Sequence, residues 1–376
     1  MSKAAELAKW GEVSTNGQVS GRRNIVYNGA MKVAQRGTSV TGIGATTGYF
    51  TCDRWVYSVA GSHAGRFTMT QTADGPSGFA SCLKLDCTTA DTSIAAGELA
   101  IIRQHFEGQD LQQIKKGTSD AETVTVSFYV KASAAFTFGL ELFDSDNDRQ
   151  ITKLFSTTTD WVRHEITFPA DTTGAFTNDT ARSLDLSFWI HAGTTYTGGT
   201  LNTTAFASTT TANRAAGIDS FFSSTDNNFF ITGVQLEVGS VATPFEHRSF
   251  GEELALCQRY FQKSFFYSQA PENAGNTTSI NYNGHVAGYC GSNNSGVLAS
   301  GVQLSPEMRA TPTITTYGNS NGHWGYLVPT NSGSITYSSG AGYITQIHPN
   351  GFNVGQNVSN NTLLIGFGQW TATAEL

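Results

Sequence analysis

Apolar and polar side chains alternate along most of this chain, with a repeat of two residues. In "ETVTVSFYVKA" (122–132), one face carries Val124, Val126, Phe128 and Val130. A repeat of two predicts β-strand, because successive side chains of a strand point to opposite faces. The same alternation returns in "GFASCLKLDC", "GELAIIRQHF", "WVRHEITFP", "SLDLSFWIHAG" and "NNFFITGVQLEVG". Many short half-buried strands separated by Gly, Asn, Asp and Thr loops predict an all-β fold, a jelly-roll β-sandwich.

The segment "FEHRSFGEELALCQRYFQKSFF" (245–266) departs from this pattern, since it is rich in residues that favour helix. Ser249 and Glu252 match a capping box, which predicts a short linking helix that begins just after Ser249. Spacings of four, three and four residues then place one apolar stripe on Phe250, Leu254, Cys257 and Phe261. About two heptads are too few to fold alone in water. The stripe must pack on the sandwich, on the following domain, or on the same helix in neighbouring subunits; we favour the last, a homotrimer interface.

The chain divides at this helix into regions of different composition. We predict an N-terminal anchoring segment with a short helix (1–20), a jelly-roll domain (21–248), the linking helix (249–265) and a second small β-sandwich domain (266–376). The last region is punctuated throughout by Gly, Ser and Asn, and its final residues alternate as a strand does. The domain boundary is therefore expected at the helix.

The composition excludes several classes of function. Only 14% of residues are charged and the net charge is −7, which argues against a nucleic-acid partner because phosphates require clustered Lys and Arg. No apolar run approaches the roughly 18 residues that span a bilayer, so membrane insertion is not expected. The five cysteines have no metal-ligand spacing and are interpreted as buried thiols rather than a disulfide between Cys82 and Cys87. No metal and no cofactor is predicted.

Five stretches, taken together, carry a resemblance to a known family: "RRNIVYNGAMKVAQRGTS" (22–39), "CDRWVYS" (52–58), "WVRHEITFPADTTGAF" (161–176), "SFWIHAG" (187–193) and "FFITGVQLEVGSVATPFEHRSFGEELALCQRYFQKS" (229–264). They resemble bacteriophage virion appendage proteins, particularly tail-fibre-like proteins of phages that infect marine bacteria and cyanobacteria. The resemblance covers about the first 265 residues, and its last stretch is the most specific. It implies a jelly roll like that of carbohydrate-binding modules, a place in a virion and contact with the host surface. It implies no particular binding residues.

Aromatic residues outside the predicted core are the candidates for glycan contact. His323, Trp324 and Tyr326 lie in a Gly- and Asn-rich loop, "GHWGYL", where recognition residues are usually found. Trp189 and His191 are out of phase with the apolar positions of their strand, so they are expected to face outward. An outward Trp can stack on the apolar face of a sugar ring. For each group, packing within the protein or against a subunit remains the alternative.

A cluster of acidic residues, "DSDND", contains Asp144, Asp146 and Asp148 on alternate positions. Carboxylates spaced in this way can contribute oxygen ligands to calcium, but the loop lacks the Gly and the bidentate Glu of a complete calcium loop. A hairpin turn without metal is therefore the favoured interpretation, and calcium is the alternative.

No catalytic motif stands out in the sequence. The chain contains no G-x-S-x-G, no H-E-x-x-H and no phosphate-binding loop. Glu141 with Asp144, and Glu165 with Asp185, are the carboxylate pairs that a glycan depolymerase would need to bring together. We predict that the protein is not an enzyme, and depolymerase activity is kept as an alternative.

The sequence therefore leads to one principal hypothesis about function. The protein is expected to be a homotrimeric tail fibre or adhesin of a virion assembled in the host cytoplasm, held to other phage tail or capsid proteins by its N-terminal segment. Its expected ligand is a host-surface glycan. The alternatives are a scaffold or decoration protein that binds only phage proteins, a lectin-like glycan binder outside virions, and a depolymerase.

Deletion of residues 1–20 tests the anchoring segment. Ser2 can cap the following helix, but so short a helix gains its stability by docking. We expect the deletion to leave the remaining domains folded by circular dichroism and to abolish attachment to the particle. Unchanged incorporation of the shortened protein into purified virions would contradict the anchoring role.

Overall fold

A computed structural model describes residues 3, 22–273, 285–289, 296–318, 325–327, 335–337, 343–358 and 363–376. Its internal contacts divide the chain into two compact units. The first contains residues up to 34, residues 38–253 and residue 376, and the second contains residues 35–37 and 254–375. The division between the two units falls within the helix that follows Ser249. No helix among the described residues is long and apolar enough to cross a membrane.

The described part of the first unit consists of two antiparallel sheets. In chain order the strands are β1 (Ser39–Ile43), β2 (Gly48–Tyr49), β3 (Val56–Ala60), β4 (Arg66–Thr72), β5 (Cys82–Thr89), β6 (Leu99–Glu107), β7 (Val124–Ala132), β8 (Thr137–Asp144), β9 (Arg149–Ser156), β10 (Val162–Phe168), β11 (Arg182–Ala192), β12 (Ala207–Ser208) and β13 (Asn228–Val238). A six-stranded sheet has the order β1-β4-β5-β13-β7-β10, and a seven-stranded sheet the order β12-β9-β8-β11-β6-β3-β2. From β5 to β11 the chain passes repeatedly from one sheet to the other.

The inward faces of the two sheets form one hydrophobic core. The residues that the alternation placed on one face, Val124, Val126, Phe128 and Val130, are all buried in it. Opposite them, Leu140 and Phe188 of the seven-stranded sheet belong to the same core. The prediction of an all-β jelly-roll sandwich is confirmed, because the repeat of two residues correctly indicated which side chains would be removed from water.

Helical segments are short in the described part of the chain. They are α1 (Thr194–Thr197), α2 (Phe250–Gln258) and three 3-10 segments, Gly108–Ile114, Thr211–Asn213 and Phe221–Ser223. Helix α2 begins where the capping box predicted. The Ser249 hydroxyl oxygen accepts a hydrogen bond from the backbone N–H of Glu252 at 3.2 Å, which satisfies a donor that the first helical turn cannot pair by itself.

The apolar stripe predicted for this helix is wrong as a continuous helical face. Helix α2 ends at Gln258. The backbone N–H of Tyr260 then donates a hydrogen bond to the Cys257 carbonyl at 3.0 Å, which forms a turn. Phe261 therefore lies in a strand, β14 (Phe261–Lys263), where the Arg36 guanidinium is 3.8 Å from its ring centroid. Cys257 and Phe261 are buried within the chain itself, while Phe250 is 45% exposed. The homotrimer and an interface on this helix remain predictions.

The second unit is also built of antiparallel strands. They are β14, β15 (His285–Tyr289), β16 (Gly296–Gln303), β17 (Thr313–Tyr317), β18 (Gly325–Leu327), β19 (Ile335–Tyr337), β20 (Tyr343–His348), β21 (Gly351–Val358), β22 (Leu363–Phe367) and β23 (Gln369–Thr373). They form three small sheets in the orders β14-β23-β17, β15-β22-β18-β19 and β16-β21-β20. A small core lies among them, formed by Leu304, Met308, Phe352, Val354, Ala372 and Ala374.

Four cysteines lie among the described residues, Cys52, Cys82, Cys87 and Cys257, and all four are buried and free. The interpretation as buried thiols is confirmed for these positions, and Cys82 and Cys87 form no disulfide. Cys290 lies outside the described residues.

The acidic cluster "DSDND" forms the turn of the β8–β9 hairpin. Oδ1 of Asp144 accepts hydrogen bonds from the backbone N–H groups of Asp146 and Asn147, each at 3.0 Å. Oδ2 of Asp144 is 2.5 Å from the ammonium of Lys116, which is also 3.1 Å from Asp171. The carboxylate of Asp144 is thus already neutralised by a lysine, as the hairpin-turn interpretation requires.

Lys116 is predicted to be essential to the stability of the first unit. Replacing it by Met leaves the buried carboxylates of Asp144 and Asp171 without their shared cation, which should cost about 3–5 kcal/mol. Lys115→Met is the matched control, because Lys115 is half-exposed and pairs only with Glu122 at the surface. Urea denaturation should show a large fall in midpoint for Lys116→Met and almost none for Lys115→Met. Similar midpoints for the two variants would contradict the importance of this cluster.

Candidate functional site

The outer face of the seven-stranded sheet carries an unusual number of polar side chains. On β11 the alternate residues Leu184, Leu186, Phe188 and Ile190 point into the sandwich core. The intervening residues of β11 point to the opposite face, and they are Ser183, Asp185, Ser187, Trp189 and His191. Strand pairing places His105 and Arg103 of β6 beside Asp185 and Ser187, and Glu141 of β8 on the other side of Ser187. We call this surface the polar face.

Asp185 lies at the centre of the polar face and is fully buried. Its carboxylate accepts hydrogen bonds from Nε of Arg182 at 2.7 Å and from NH1 of Arg103 at 3.4 Å, and it is 2.6 Å from Nδ1 of His105. Nε of Arg103 donates to the Ser58 hydroxyl at 2.7 Å. The side chains of Arg103 and Arg182 remain 19% and 35% exposed. A buried carboxylate therefore holds two partly exposed arginine side chains in place.

This environment changes the acidity of Asp185. Burial by itself raises the pKa of the carboxyl, but the hydrogen bonds and charges of His105 and Arg182 outweigh burial and lower the pKa from 3.8 to about 2. Asp185 is therefore ionised throughout the neutral and mildly acidic range, and it keeps its partners in place there.

A second network closes one side of the polar face. Both oxygens of the buried Glu141 carboxylate accept from Arg214, at 2.7 and 2.8 Å, and Oε2 also accepts from the Trp189 indole N–H at 2.9 Å. The Arg214 guanidinium lies 5.1 Å from the Trp189 ring centroid, and the Tyr196 ring packs 5.5 Å from the same Trp189 ring. Residues 193–218 therefore fold over this part of the sheet.

This cover corrects two predicted glycan contacts. Trp189 and His191 do face away from the sandwich core, but both are completely buried. Trp189 is held by Glu141, Arg214 and Tyr196, and His191 lies 2.7 Å from the Ser220 hydroxyl. Neither side chain presents a surface to a sugar ring, because the sequence following β11 folds back over its own strand.

The charges at the centre of the polar face balance one another. The guanidinium groups are those of Arg103, Arg182 and Arg214, and the carboxylates are those of Glu107, Glu141 and Asp185. The polar face therefore has many fixed hydrogen-bonding groups without a large net charge. Such a surface suits a hydroxyl-rich, uncharged ligand better than a phosphate, which requires an excess of positive charge.

Some buried polar atoms on the polar face have no hydrogen-bond partner. Among the described residues these include the hydroxyls of Ser183 and Ser187 and the amide nitrogen of Gln150. Most buried polar groups in proteins are paired with protein or water. Because these atoms are buried, they do not contribute hydrogen bonds to a ligand at the surface of the polar face.

The carboxylate pairs considered for catalysis are not assembled. Glu165 lies on β10 of the six-stranded sheet, whereas Asp185 lies on β11 of the seven-stranded sheet. The oxygens of Glu141 are bound by Arg214 and Trp189, and those of Asp144 by Lys116 and the backbone of its own turn. Carboxylates held in this way are not free to exchange protons with a substrate as an acid and base pair must.

Other predicted glycan contacts lie beyond the described part of the structure. His323 and Trp324 are outside the described residues, and Tyr326 lies in β18 with its side chain outside them. Sequence analysis also missed Arg103 and Arg182. The available signal was their charge within long strands whose other face is apolar, since a charged residue in a central strand requires a partner.

Comparisons with known proteins leave the family open. No protein-family model matches the chain, and no curated protein matches it. Solved structures with some similarity include a CBM4 structure, at 10% identity over 49% of this chain and 87% of that one, with a TM-score of 0.27. The xylan-binding CBM22-1 domain of Paenibacillus barcinonensis Xyn10C matches at 11% identity over 59% of this chain and 100% of that one, with a TM-score of 0.28.

A phage protein is also among the similar structures. The enzymatically active domain of tailspike protein 4 from bacteriophage CBA120 matches at 12% identity over 57% of this chain, with a TM-score of 0.30. The match spans only 21% of the tailspike chain. At this level of similarity, function has to be argued from the residues of the chain itself.

The low pKa of Asp185 predicts a specific dependence of stability on pH. Because the folded pKa of about 2 lies below the ordinary 3.8, the ionised network contributes about 2 kcal/mol of stability above pH ~4. This contribution is lost as the pH falls toward 2. Unfolding free energies measured from pH 5 to pH 2 should fall less steeply in Asp185→Asn than in the wild type. Asp86→Asn, whose aspartate side chain is 47% exposed on the other sheet, is the control; equal slopes in all three proteins would contradict this account.

Proposed function

We propose that this protein is a virion appendage protein that binds a host-surface glycan through the polar face. The observation that carries the proposal is the pair of partly exposed arginine side chains, Arg103 and Arg182, held on the buried carboxylate of Asp185. The phage context is supported by the sequence resemblance of residues 22–39 and 229–264 to tail-fibre-like proteins.

The arrangement of the arginines suits the recognition of sugar hydroxyls. A guanidinium has five N–H donors in a planar fork, and Asp185 occupies only part of that capacity on Arg103 and Arg182. Since both side chains are already fixed, little further conformational entropy is lost when a ligand binds. The buried Ser58 hydroxyl accepts from Nε of Arg103 at 2.7 Å and helps to hold that side chain in place.

The remaining parts of the hypothesis concern assembly. We propose that residues 1–20 attach the protein to other phage tail or capsid proteins and that the protein is a homotrimer in the virion. Light scattering after size exclusion measures the oligomeric state directly. A protein that is monomeric at every concentration would remove the homotrimer from the proposal and leave glycan binding untouched.

Substitutions at the two arginines test the polar face. A glycan array with the intact protein selects the ligand, and titration with that glycan then compares the variants. Arg103→Lys and Arg182→Lys keep the positive charge but lose the guanidinium fork, so each should weaken binding by at least about tenfold. Arg163→Lys, on the outer face of the six-stranded sheet, is the matched control and should bind as the wild type does.

The same experiment separates the alternatives. Unchanged binding in Arg103→Lys and Arg182→Lys would move the glycan site away from the polar face. The absence of any glycan ligand would favour a scaffold or decoration protein that binds only phage proteins. Release of reducing sugar from host polysaccharide would favour the depolymerase instead.

A further inference from the structure

One end of β11 brings together three buried side chains that the glycan proposal does not use. They are Asp91, in the connection after β5, Glu98, immediately before β6, and His191. One carboxylate oxygen of each acid and one imidazole nitrogen of His191 all lie within 4.8 Å of one another. Backbone N–H groups donate to both carboxylates, at 2.8–3.1 Å, which offsets part of the cost of burying their charge.

His191 points an unpaired nitrogen into this cluster. Nε2 has no hydrogen-bond partner, although the residue is completely buried. The other ring nitrogen, Nδ1, lies 2.7 Å from the Ser220 hydroxyl, whose oxygen also accepts from the backbone N–H of Phe222 at 3.2 Å. If Nδ1 carries the proton and donates to Ser220, the lone pair of Nε2 is directed at the carboxylates. A hydrogen bond from the second ring nitrogen is the usual arrangement in a metal-binding histidine.

A simple ion pair does not account for this geometry. Nε2 of His191 is 3.5 Å from Oε2 of Glu98 and makes no hydrogen bond to it. Elsewhere in this protein a buried histidine and carboxylate do form a direct contact, since Nδ1 of His105 is 2.6 Å from Asp185. The longer separation at Glu98 instead matches the edge of a tetrahedron, about 3.4 Å, around an ion bound at about 2.1 Å.

His63 lies beside the cluster and has an unpaired nitrogen of its own. Its Nδ1 is buried without a hydrogen-bond partner, while Nε2 is 3.0 Å from the Tyr57 hydroxyl. The ring centroid of His63 is 5.5 Å from that of His191, and the Phe222 ring packs against both, at 4.9 and 5.4 Å. Within the described part of the chain, the two buried histidine nitrogens that lack a partner are therefore on these two neighbouring rings.

We propose that Asp91, Glu98 and His191 bind a zinc ion, with the His63 ring packed beside the site. One imidazole nitrogen with two carboxylate oxygens is a set of donors that zinc accepts at about 2.0–2.2 Å. Calcium is disfavoured, because it takes six to eight oxygen ligands. Since all three residues are buried, the ion is structural, and it ties the connection between β5 and β6 to the end of β11.

Zinc binding is tested on the intact protein after dialysis against a chelator. Titration with ZnCl2 should show one ion per chain, and saturating zinc should raise the melting temperature by about 5–10 °C. Cobalt added in place of zinc should produce the visible absorption of a tetrahedral site. A melting temperature that responds to CaCl2 and not to ZnCl2 would overturn the proposal, as would the absence of stoichiometric zinc binding.

Variants then locate the ion. His191→Gln and Glu98→Gln should each abolish the zinc-dependent rise in melting temperature and the cobalt absorption. His164→Gln removes a partly buried histidine that stacks on Phe128 of the sandwich core, so it is the matched control and should keep both signals. The cobalt spectrum of the wild type does not depend on how well the variants fold. Zinc binding that persists in both His191→Gln and Glu98→Gln would place the ion elsewhere and refute the site.

Discussion

The structure of the polar face depends on one constraint, the pairing of the Asp185 carboxylate inside the protein. An ionised carboxylate without water must be compensated by charge and hydrogen bonds; Arg182 and Arg103 supply both, and His105 supplies a hydrogen bond. The same contacts fix the two guanidinium groups at the surface. A requirement of folding therefore also determines the positions of the groups that we propose for glycan recognition, with little conformational freedom left to lose on binding.

The seven-stranded sheet uses its outer face in two different ways. Its centre keeps Arg103 and Arg182 partly exposed, whereas the segment that follows β11 covers Trp189 and His191. Covering this end of the sheet removes an aromatic ring from the surface and, at the same time, buries His191 beside Asp91 and Glu98. The proposed glycan site and the proposed zinc site thus occupy neighbouring parts of one sheet without sharing residues.

Much of the fold was predictable because strand and helix signals are local. The repeat of two residues identified Val124, Val126, Phe128 and Val130 as core, and the Ser249 and Glu252 pair located the start of α2. The predicted stripe on α2 failed at its end, since the chain leaves the helix at Gln258 and Phe261 belongs to a strand. The candidate site was predicted less well. Sequence analysis considered Asp185 and Glu141 as catalytic carboxylates, but the sequence did not show which arginines pair with them.

Alternation along the chain determined, by itself, which face of each strand is apolar, because a side chain's direction in a strand follows from its position alone. Only the tertiary structure decided what covers the opposite face. Arg214 contacts Glu141, which is 73 positions away in the sequence, and His105 contacts Asp185, which is 80 positions away. Partners so distant in sequence meet only after the sheets have formed. For that reason the sequence does not distinguish an outward position that the fold buries, such as Trp189, from one that it leaves partly exposed to a ligand, such as Arg103.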